Sequence, residues 1–327
     1  MHILASIPSP TISYLDLGFL RIHFYAVFIL IGIVLATLIG NARLVRRGAE
    51  NGLIIDIAFW AVPFGIAGGR LFHVFTHQRD YFGPGKNLLS IFAVWEGGLA
   101  IYGALIFGAV GALIGCLQTG VRFLSFADAI APGILLAQAI GRIGNYFNQE
   151  LFGQPTDLPW ALEIARPNPA IPIGLPSTAV FHPTFLYELL WNLLGAIVLL
   201  ALDGKINMRW GRLFGTYLIW YSTGRFFIEG IRIDPSDILL GLRTNQWSAI
   251  LGVVIGLAIV IWSLRSHTGA ELSAITSRGI ELQKKRQASL EAEKARADAK
   301  RAAKAKSGET SASDTVAERK NENKSAE

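Results

Sequence analysis

The chain has 327 residues, 52% of them hydrophobic and 17% charged, with a positive mean hydropathy and a formal net charge of +6. That balance is the composition of a membrane protein and excludes a water-soluble enzyme. One cysteine, Cys116, and six histidines without metal-ligand spacing exclude a disulfide framework or thiolate cluster, so no metal and no cofactor is expected. The basic excess does not point to nucleic acid, because it lies in short loops and a C-terminal tail beside spans that water would not dissolve.

In chain order, residues 1–20 lack the basic start, apolar core and small-residue cleavage site of a signal peptide, and no cleaved leader is expected. Seven apolar stretches follow, each of about 17 to 25 residues, the length that crosses a hydrocarbon core as a helix. They cover residues 23–40, 55–74, 100–117, 126–144, 184–202, 213–230 and 247–264. The expected fold class is an all-α polytopic membrane protein with seven transmembrane helices. Its membrane domain covers 1–264 and a charged tail covers 265–327. Glycines recur inside the spans, as in GIAGGR and GALIFGAVGALIG, where small residues let membrane helices approach closely. The loops after the first, third and fifth spans carry seven Lys or Arg in 32 residues, against six in 102 for the N-terminus and the other loops. The positive-inside rule then puts the N-terminus outside and the C-terminus in the cytoplasm. The tail, rich in Ala, Glu, Lys and Arg, suits a solvated helix followed by a disordered end; contact of its lysines with inner-leaflet membrane lipids is the less favoured reading. No internal repeat is apparent.

The stretch AQAIGRIGNYFNQELFG, residues 137–153, organises the rest. As a helix it projects Gln138, Arg142, Asn145 and Gln149 from one face. An arginine inside a span is expensive unless it pairs or meets water, so it marks function by default. Once loops and tail are set aside, Arg70, Arg142 and Arg225 are the intramembrane basic residues, each late in a span that runs outward. His23, Tyr25, Tyr102, His182, Tyr187 and Glu188 come early in spans that run inward, which brings all of them to one depth. A common outward-opening cavity accounts for that clustering. The sixth span adds Tyr221, Arg225 and Glu229 at successive turns, where an Arg225–Glu229 pair either is merely structural or orients the arginine. Guanidinium forks match phosphate oxygens, and the phosphate at that depth is a lipid headgroup. His182, before a proline, reads as a cap, and Trp95 and Glu96 as interfacial residues. The proline-rich loop 145–183 reads equally as a lid or a passive connection. A transporter of anionic lipid predicts polar residues through the full depth, whereas the inward halves of the spans read as nearly charge-free. An intramembrane hydrolase lacks an evident serine nucleophile with its own base, and Cys116 lies toward the inner side.

Six segments together resemble the bacterial prolipoprotein diacylglyceryl transferase family: HFY at 23–25, GGRLFHV from Gly68, WEGGLAIYGA from Trp95, GRIGNYFNQELFG from Gly141, HPTFLYE from His182 and YSTGRFFIEGIR from Tyr221. The resemblance covers nearly the whole membrane region, and the Arg142 to Gly153 segment is the family signature. It implies transfer of an sn-1,2-diacylglyceryl group from phosphatidylglycerol to the lipobox cysteine thiol of a prolipoprotein signal peptide, with release of glycerol 1-phosphate. It also implies a multi-pass protein of the bacterial plasma membrane with its active site toward the outer leaflet. Arg142, Asn145, Glu150 and Gly153 match the signature, Arg225 and Glu229 the sixth-span pair, and Tyr25 the first-span tyrosine. Arg142, Arg225, Glu229, Tyr25 and Tyr102 are the implied catalytic residues. Arg142 with Asn145, Asn148, Glu150, Gly153, Tyr221 and Arg70 would bind phosphatidylglycerol. Tyr102 stands where many members carry a histidine proposed as a base. A neutral phenol of pKa near 10 is a poor base at pH 7, so Tyr102 is expected to donate a hydrogen bond instead.

Overall fold

The computed structural model describes residues 6–18, 21–94, 97–206, 208–267, 271 and 273–299. Its helices are α1 (Phe24–Arg46), α2 (Leu53–Thr76), the single-turn α3 (Gln78–Tyr81), α4 (Ile101–Thr119), α5 (Phe123–Asn148), α6 (Thr184–Ile206), α7 (Arg212–Gly230) and α8 (Thr244–Ser266). Every expected span is therefore a helix, extended at its ends by residues that hydropathy alone does not count. In α1 the last turn carries Arg43 and Arg46, cations that suit the negative end of a helix dipole. In α4 the extension stops at Gly120, whose φ of 72° makes it a left-handed cap. Among the described residues, six helices are long and apolar enough to cross a membrane by length and composition: α1, α2, α4, α5, α6 and α8. The seventh, α7, has a comparable length of 19 residues, but Arg212, Thr216, Ser222, Thr223, Arg225 and Glu229 dilute its apolar character. Its polarity is explained below by what it faces.

Glycine sets the helix spacing, as expected. Between α2 and α4, a methyl added at Gly68 or Gly103 would strike the opposing helix. Between α1 and α5, a Cβ at Gly133 would lie 2.9 Å from the backbone of Ala36, and one at Gly32 3.1 Å from that of Ala137. Helices α6 and α7 are joined by a reciprocal clasp. Trp191 Nε1 donates to the Trp220 carbonyl and Trp220 Nε1 to the Trp191 carbonyl, both at 3.0 Å, with the indoles stacked. Gly195 and Gly224 make room for the two rings. Facing outward, Leu30, Leu38, Phe59, Leu105, Ile197 and Val254 are exposed, an apolar sleeve that a bilayer covers and water would not tolerate.

One end of the bundle is locked by buried charge. Asp128, fully buried in α5, accepts from the backbone N–H of Gly211 and of Phe214, each at 2.8 Å, and so caps α7 from a neighbouring helix. Arg43 and Arg47 reach Asp203 at 3.0 and 3.3 Å, and Arg47 lies 3.9 Å from Asp128. Of these four charges only Asp128 falls inside an expected span; Arg43, Arg47 and Asp203 stand in helical extensions or caps beyond the spans, where hydropathy assigns loops. The charges there are paired with one another and with helix ends, which ties α1, α5, α6 and α7 together.

At the other end, loop 149–183 is packed. Phe152, Leu162, Ile164 and Phe181 form a small core with Ile7 against it. Ile7 N–H donates to Ala161 O at 2.8 Å, and Glu163 N–H to Ile7 O at 2.9 Å, so the N-terminal segment is laced into the same cap. Two antiparallel hairpins complete it: β1 (Tyr14–Asp16) with β2 (Arg21–His23), and β3 (Ile238–Leu239) with β4 (Leu242–Arg243). The first compact unit of the chain is Met1–Thr276, past the compositional boundary at 265. Ala274 N–H donates to Arg47 O at 2.9 Å, and Arg122 N–H to Ala274 O at 2.8 Å, which explains why packing continues that far. The second unit, Ser277–Glu327, has a solvated helix over 277–299 with an exposed Lys285–Glu281 pair.

Candidate active site

Three helices each bring one ionic side chain to a shared level. Glu188, one turn into α6 and buried, stands between Arg142 of α5 and Arg225 of α7. Its Oε2 is 2.6 Å from Arg142 Nη2 and its Oε1 is 3.0 Å from Arg225 Nη1. The arginine side chains keep 18% and 17% exposure, so part of each guanidinium remains reachable. A guanidinium has five N–H donors. Among the described residues, two are bonded on Arg142, to Glu188 and Asn145, and two on Arg225, to Glu188 and Glu229.

Behind Arg142, the signature folds back on itself. Arg142 Nη1 donates to Asn145 Oδ1 at 3.0 Å, and Asn145 Nδ2 donates to Glu150 Oε1 at 2.8 Å. Asn148 Nδ2 donates to the same oxygen at 3.1 Å. Gln149 leaves the expected stripe because α5 ends at Asn148 and Gln149 takes a left-handed φ of 51°. Its side chain instead donates to Pro10 O at 3.0 Å and accepts from Ala165 N–H at 2.7 Å, pinning the N-terminal segment and the cap loop. Gly153 is a packing requirement: a Cβ there would lie 2.8 Å from His182 Cβ and 3.0 Å from Ile231 O.

Behind Arg225, the intrahelical pair is real, with Arg225 Nη2 2.8 Å from Glu229 Oε2. Glu229 is fully buried and also receives Arg243 Nε at 2.9 Å, Asn245 Nδ2 at 3.0 Å and Arg232 Nη1 at 3.4 Å. Arg243 and Arg232 in turn meet Asp234, at 3.3 and 2.7 Å. Sequence reasoning missed Arg232, Arg243 and Asn245 because they stand in the loop after the sixth span and at the next helix start. The i,i+3 spacing of Glu229 and Arg232 was the available signal. Glu188 was recognised by depth but not as the bridge. The network holds four guanidiniums, Arg142, Arg225, Arg232 and Arg243, against Glu188, Glu229 and Asp234 in direct contact and Glu150 through Asn145, so its fitness for an anion rests on the donors that Arg142 and Arg225 keep free among the described residues rather than on net charge.

The remaining candidates are placed as follows. Tyr102 OH lies 2.7 Å from Ser248 Oγ and donates to Asn245 Oδ1 at 3.2 Å, so it touches the network through Asn245. Tyr25 packs on Gly144, where a Cβ would come 2.7 Å from its ring. Tyr221 stacks on Tyr217 one turn below Arg225, with centroids 6.1 Å apart. Asn148 lines a polar cavity of about 430 Å³ together with Thr11, Ser13, His23 and Asn168. His182 Nδ1 pairs with Tyr187 OH at 3.1 Å. The structure does not bring Arg70 to this site. Its guanidinium donates to Ile91 O at 2.8 Å, Gly97 O at 2.7 Å, Gly98 O at 3.2 Å and Ser90 O, and lies over the Tyr81 ring. Gly97 and Gly98 have φ of 89° and 69°, a backbone that only glycine adopts readily, and this turns both carbonyls to Arg70. Trp95 and Glu96 lie outside the described residues.

Comparison with known proteins gives a concordant picture. The family described as prolipoprotein diacylglyceryl transferase matches residues 13–262. A phosphatidylglycerol-prolipoprotein diacylglyceryl transferase of Leifsonia xyli is 53% identical over 279 residues, covering 82% of this chain and 84% of the relative. Similarly named relatives of Streptomyces griseus and Mycobacteroides abscessus are 46% and 49% identical, covering 82% and 79% of this chain and 81% and 78% of their own.

Proposed function

The chain belongs to the prolipoprotein diacylglyceryl transferase family, and we propose that Arg142 and Arg225 hold the phosphate of its lipid substrate. It is a transferase that moves the diacylglyceryl group from phosphatidylglycerol to prolipoproteins in lipoprotein maturation. In the proposed reaction the acceptor is the lipobox cysteine thiol of a signal peptide. Sulfur bonds to the terminal glycerol carbon of the diacylglyceryl group, the bond from that carbon to the phosphate oxygen breaks, and glycerol 1-phosphate leaves with the electron pair. The diester begins with one negative charge and the departing phosphate acquires a second. Donors fixed where that charge grows stabilise the transition state more than the ground state.

One observation carries this reading: the Glu188 carboxylate clamped between the two arginines at 2.6 and 3.0 Å. An anion already occupies the place where phosphate oxygens fit, and each guanidinium keeps donors with which to receive them. Asn145, Asn148 and Glu150 hold Arg142 in place; Glu229, with Arg232 and Arg243, holds Arg225. Tyr25 borders the signature helix, Gly153 lets the cap close over it, and Tyr102 positions Asn245. The thiol is activated by the arginine field and its proton passes to water.

The proposed setting has seven spans, α7 included, because its charged residues Arg225 and Glu229 face the network and Arg212 is bonded to Ser263 and His267 of α8 and its cap rather than exposed to lipid. The N-terminus lies outside, the arginine tier lies toward the outer leaflet of the bacterial plasma membrane, and the C-terminal tail is cytoplasmic and solvated. Clustering of Arg43, Arg46 and Arg47 at the end of α1 supports that orientation. Incubation of the purified protein with phosphatidylglycerol and a cysteine-containing lipobox peptide tests the reading. A peptide mass gain of one diacylglyceryl thioether is expected; absence of any gain with a peptide that a relative accepts would sink it.

A further inference from the structure

One helical turn beyond the arginine tier, a second polar tier crosses the same three helices. Gln138 stands four residues before Arg142 in α5, Asn192 four after Glu188 in α6, and Tyr221 four before Arg225 in α7. Their level is bracketed by contacts on both sides. Arg142 meets Glu188 at 2.6 Å on one side, and on the other a Cβ at Gly195 would lie 3.0 Å from Leu135 Cδ1. Gln138 Nε2 donates to Tyr217 OH at 3.2 Å, and that phenol, itself buried, stacks on Tyr221. Two atoms of the tier are buried without a partner among the described residues: the Asn192 amide nitrogen, on a residue only 2% exposed, and the Gln138 amide oxygen. A buried amide donor left unbonded is destabilising, which is poor design for mere packing and good design for a ligand that brings an acceptor.

We propose that this tier is a binding subsite for the ester carbonyls of the diacylglyceryl group, with the Asn192 amide and the Tyr217 phenol as donors. The inference rests on the reading that Arg142 and Arg225 hold the lipid phosphate. With the phosphate at that level, the acyl ester carbonyls lie a few bonds deeper, about one helical pitch of 5.4 Å, which is the offset of Asn192 from Glu188; Tyr217 stands one turn deeper still in α7 and joins the tier through its 3.2 Å contact with Gln138. Ester carbonyls accept hydrogen bonds and never donate them, matching the unbonded donor on Asn192; the Gln138 oxygen, an acceptor, takes no part in the subsite. In hydrocarbon surroundings such a contact discriminates strongly, because a ligand without the acceptor leaves the donor unpaired. The subsite therefore selects ester-linked over ether-linked lipid of the same headgroup and chain length.

The test compares dioleoyl phosphatidylglycerol with its dialkyl ether counterpart, which lacks only the two carbonyl oxygens. Both are presented in the same detergent with the same lipobox peptide. The parent protein is expected to show kcat/KM at least tenfold lower for the ether lipid, and Asn192→Leu to bring the two lipids within about threefold by lowering the ester rate. Tyr217→Phe, which keeps the ring and its stack, is expected to narrow the ratio in the same direction and decides the matter if Asn192→Leu fails to fold. Equal use of both lipids by the parent, or an equal loss on both lipids in the variants, overturns the subsite. Absence of transfer from the ester lipid in the parent instead overturns the phosphate reading beneath it.

Discussion

Replacing Arg142 by lysine keeps the charge and removes the fork. In the parent, Nη1 reaches Asn145 at 3.0 Å while Nη2 reaches Glu188 at 2.6 Å, two directions that a single ammonium cannot serve at once. One charged hydrogen bond lost contributes about 1.5–3 kcal/mol, and the planar pair of donors offered to phosphate is lost with it. A total near 3 kcal/mol in the transition state corresponds to roughly a 150-fold fall in kcat/KM. The fold should survive, because Glu188 keeps its 3.0 Å pair with Arg225 and is not left as an uncompensated buried charge. Initial rates of peptide mass gain over a range of phosphatidylglycerol concentrations measure the loss, with thermal unfolding in the same detergent as the control for folding. A well-folded Arg142→Lys protein working within threefold of the parent would refute the geometric role assigned to the guanidinium.

Arg225→Lys is expected to be impaired at least as much, since Arg225 joins Glu188 at 3.0 Å to Glu229 at 2.8 Å; the same rate assay checks it. Tyr102→Phe breaks neutral contacts to Ser248 and Asn245 and should lower activity by about 1–3 kcal/mol while leaving the pH profile of the rate unchanged. Disappearance of an ionisation in that variant, with a rate near background, would identify Tyr102 as the base. Ending the chain at Thr276 should leave activity and melting temperature close to those of the parent. Ending it at 270 removes the backbone bonds of Ala274 to Arg47 and Arg122 and should lower the melting temperature.

The helices were legible because a bilayer imposes a length and an apolarity that any window of sequence reveals. The site was legible only where its partners share a helix. Arg225 and Glu229 are one turn apart, and Arg142 and Asn145 nearly so, which puts both contacts within the reach of spacing arguments. Glu188 could be assigned a depth but no partner, since the pairing of α6 with both α5 and α7 is a property of the bundle. Arg232 and Arg243 were hidden by the positive-inside count, which treats every loop cation as a topology signal. The β3–β4 hairpin carries Arg243 back to Glu229 at 2.9 Å. The polarity of α7, which keeps it out of the six helices apolar enough to span by composition, has the same origin: Arg225 and Glu229 are turned into the protein.

Arg70 and Arg142 then separate two meanings of an intramembrane arginine. Both stand at similar depth in their helices, both flank glycines, and a rule based on the cost of burying charge treats them alike. Arg70 has four hydrogen bonds to carbonyls of a loop that Gly97 and Gly98 bend toward it, nearly filling its five donors. Such an arginine fastens structure, and its partners leave no charged signature in the sequence because they are backbone. Arg142 and Arg225 have carboxylate side chains as partners, and among the described residues each retains unbonded N–H groups on a partly exposed face. Depth alone therefore nominates an arginine for function. The number of its donors already committed, and whether the acceptor is fixed backbone or a side chain that can yield to a phosphate, decides the nomination.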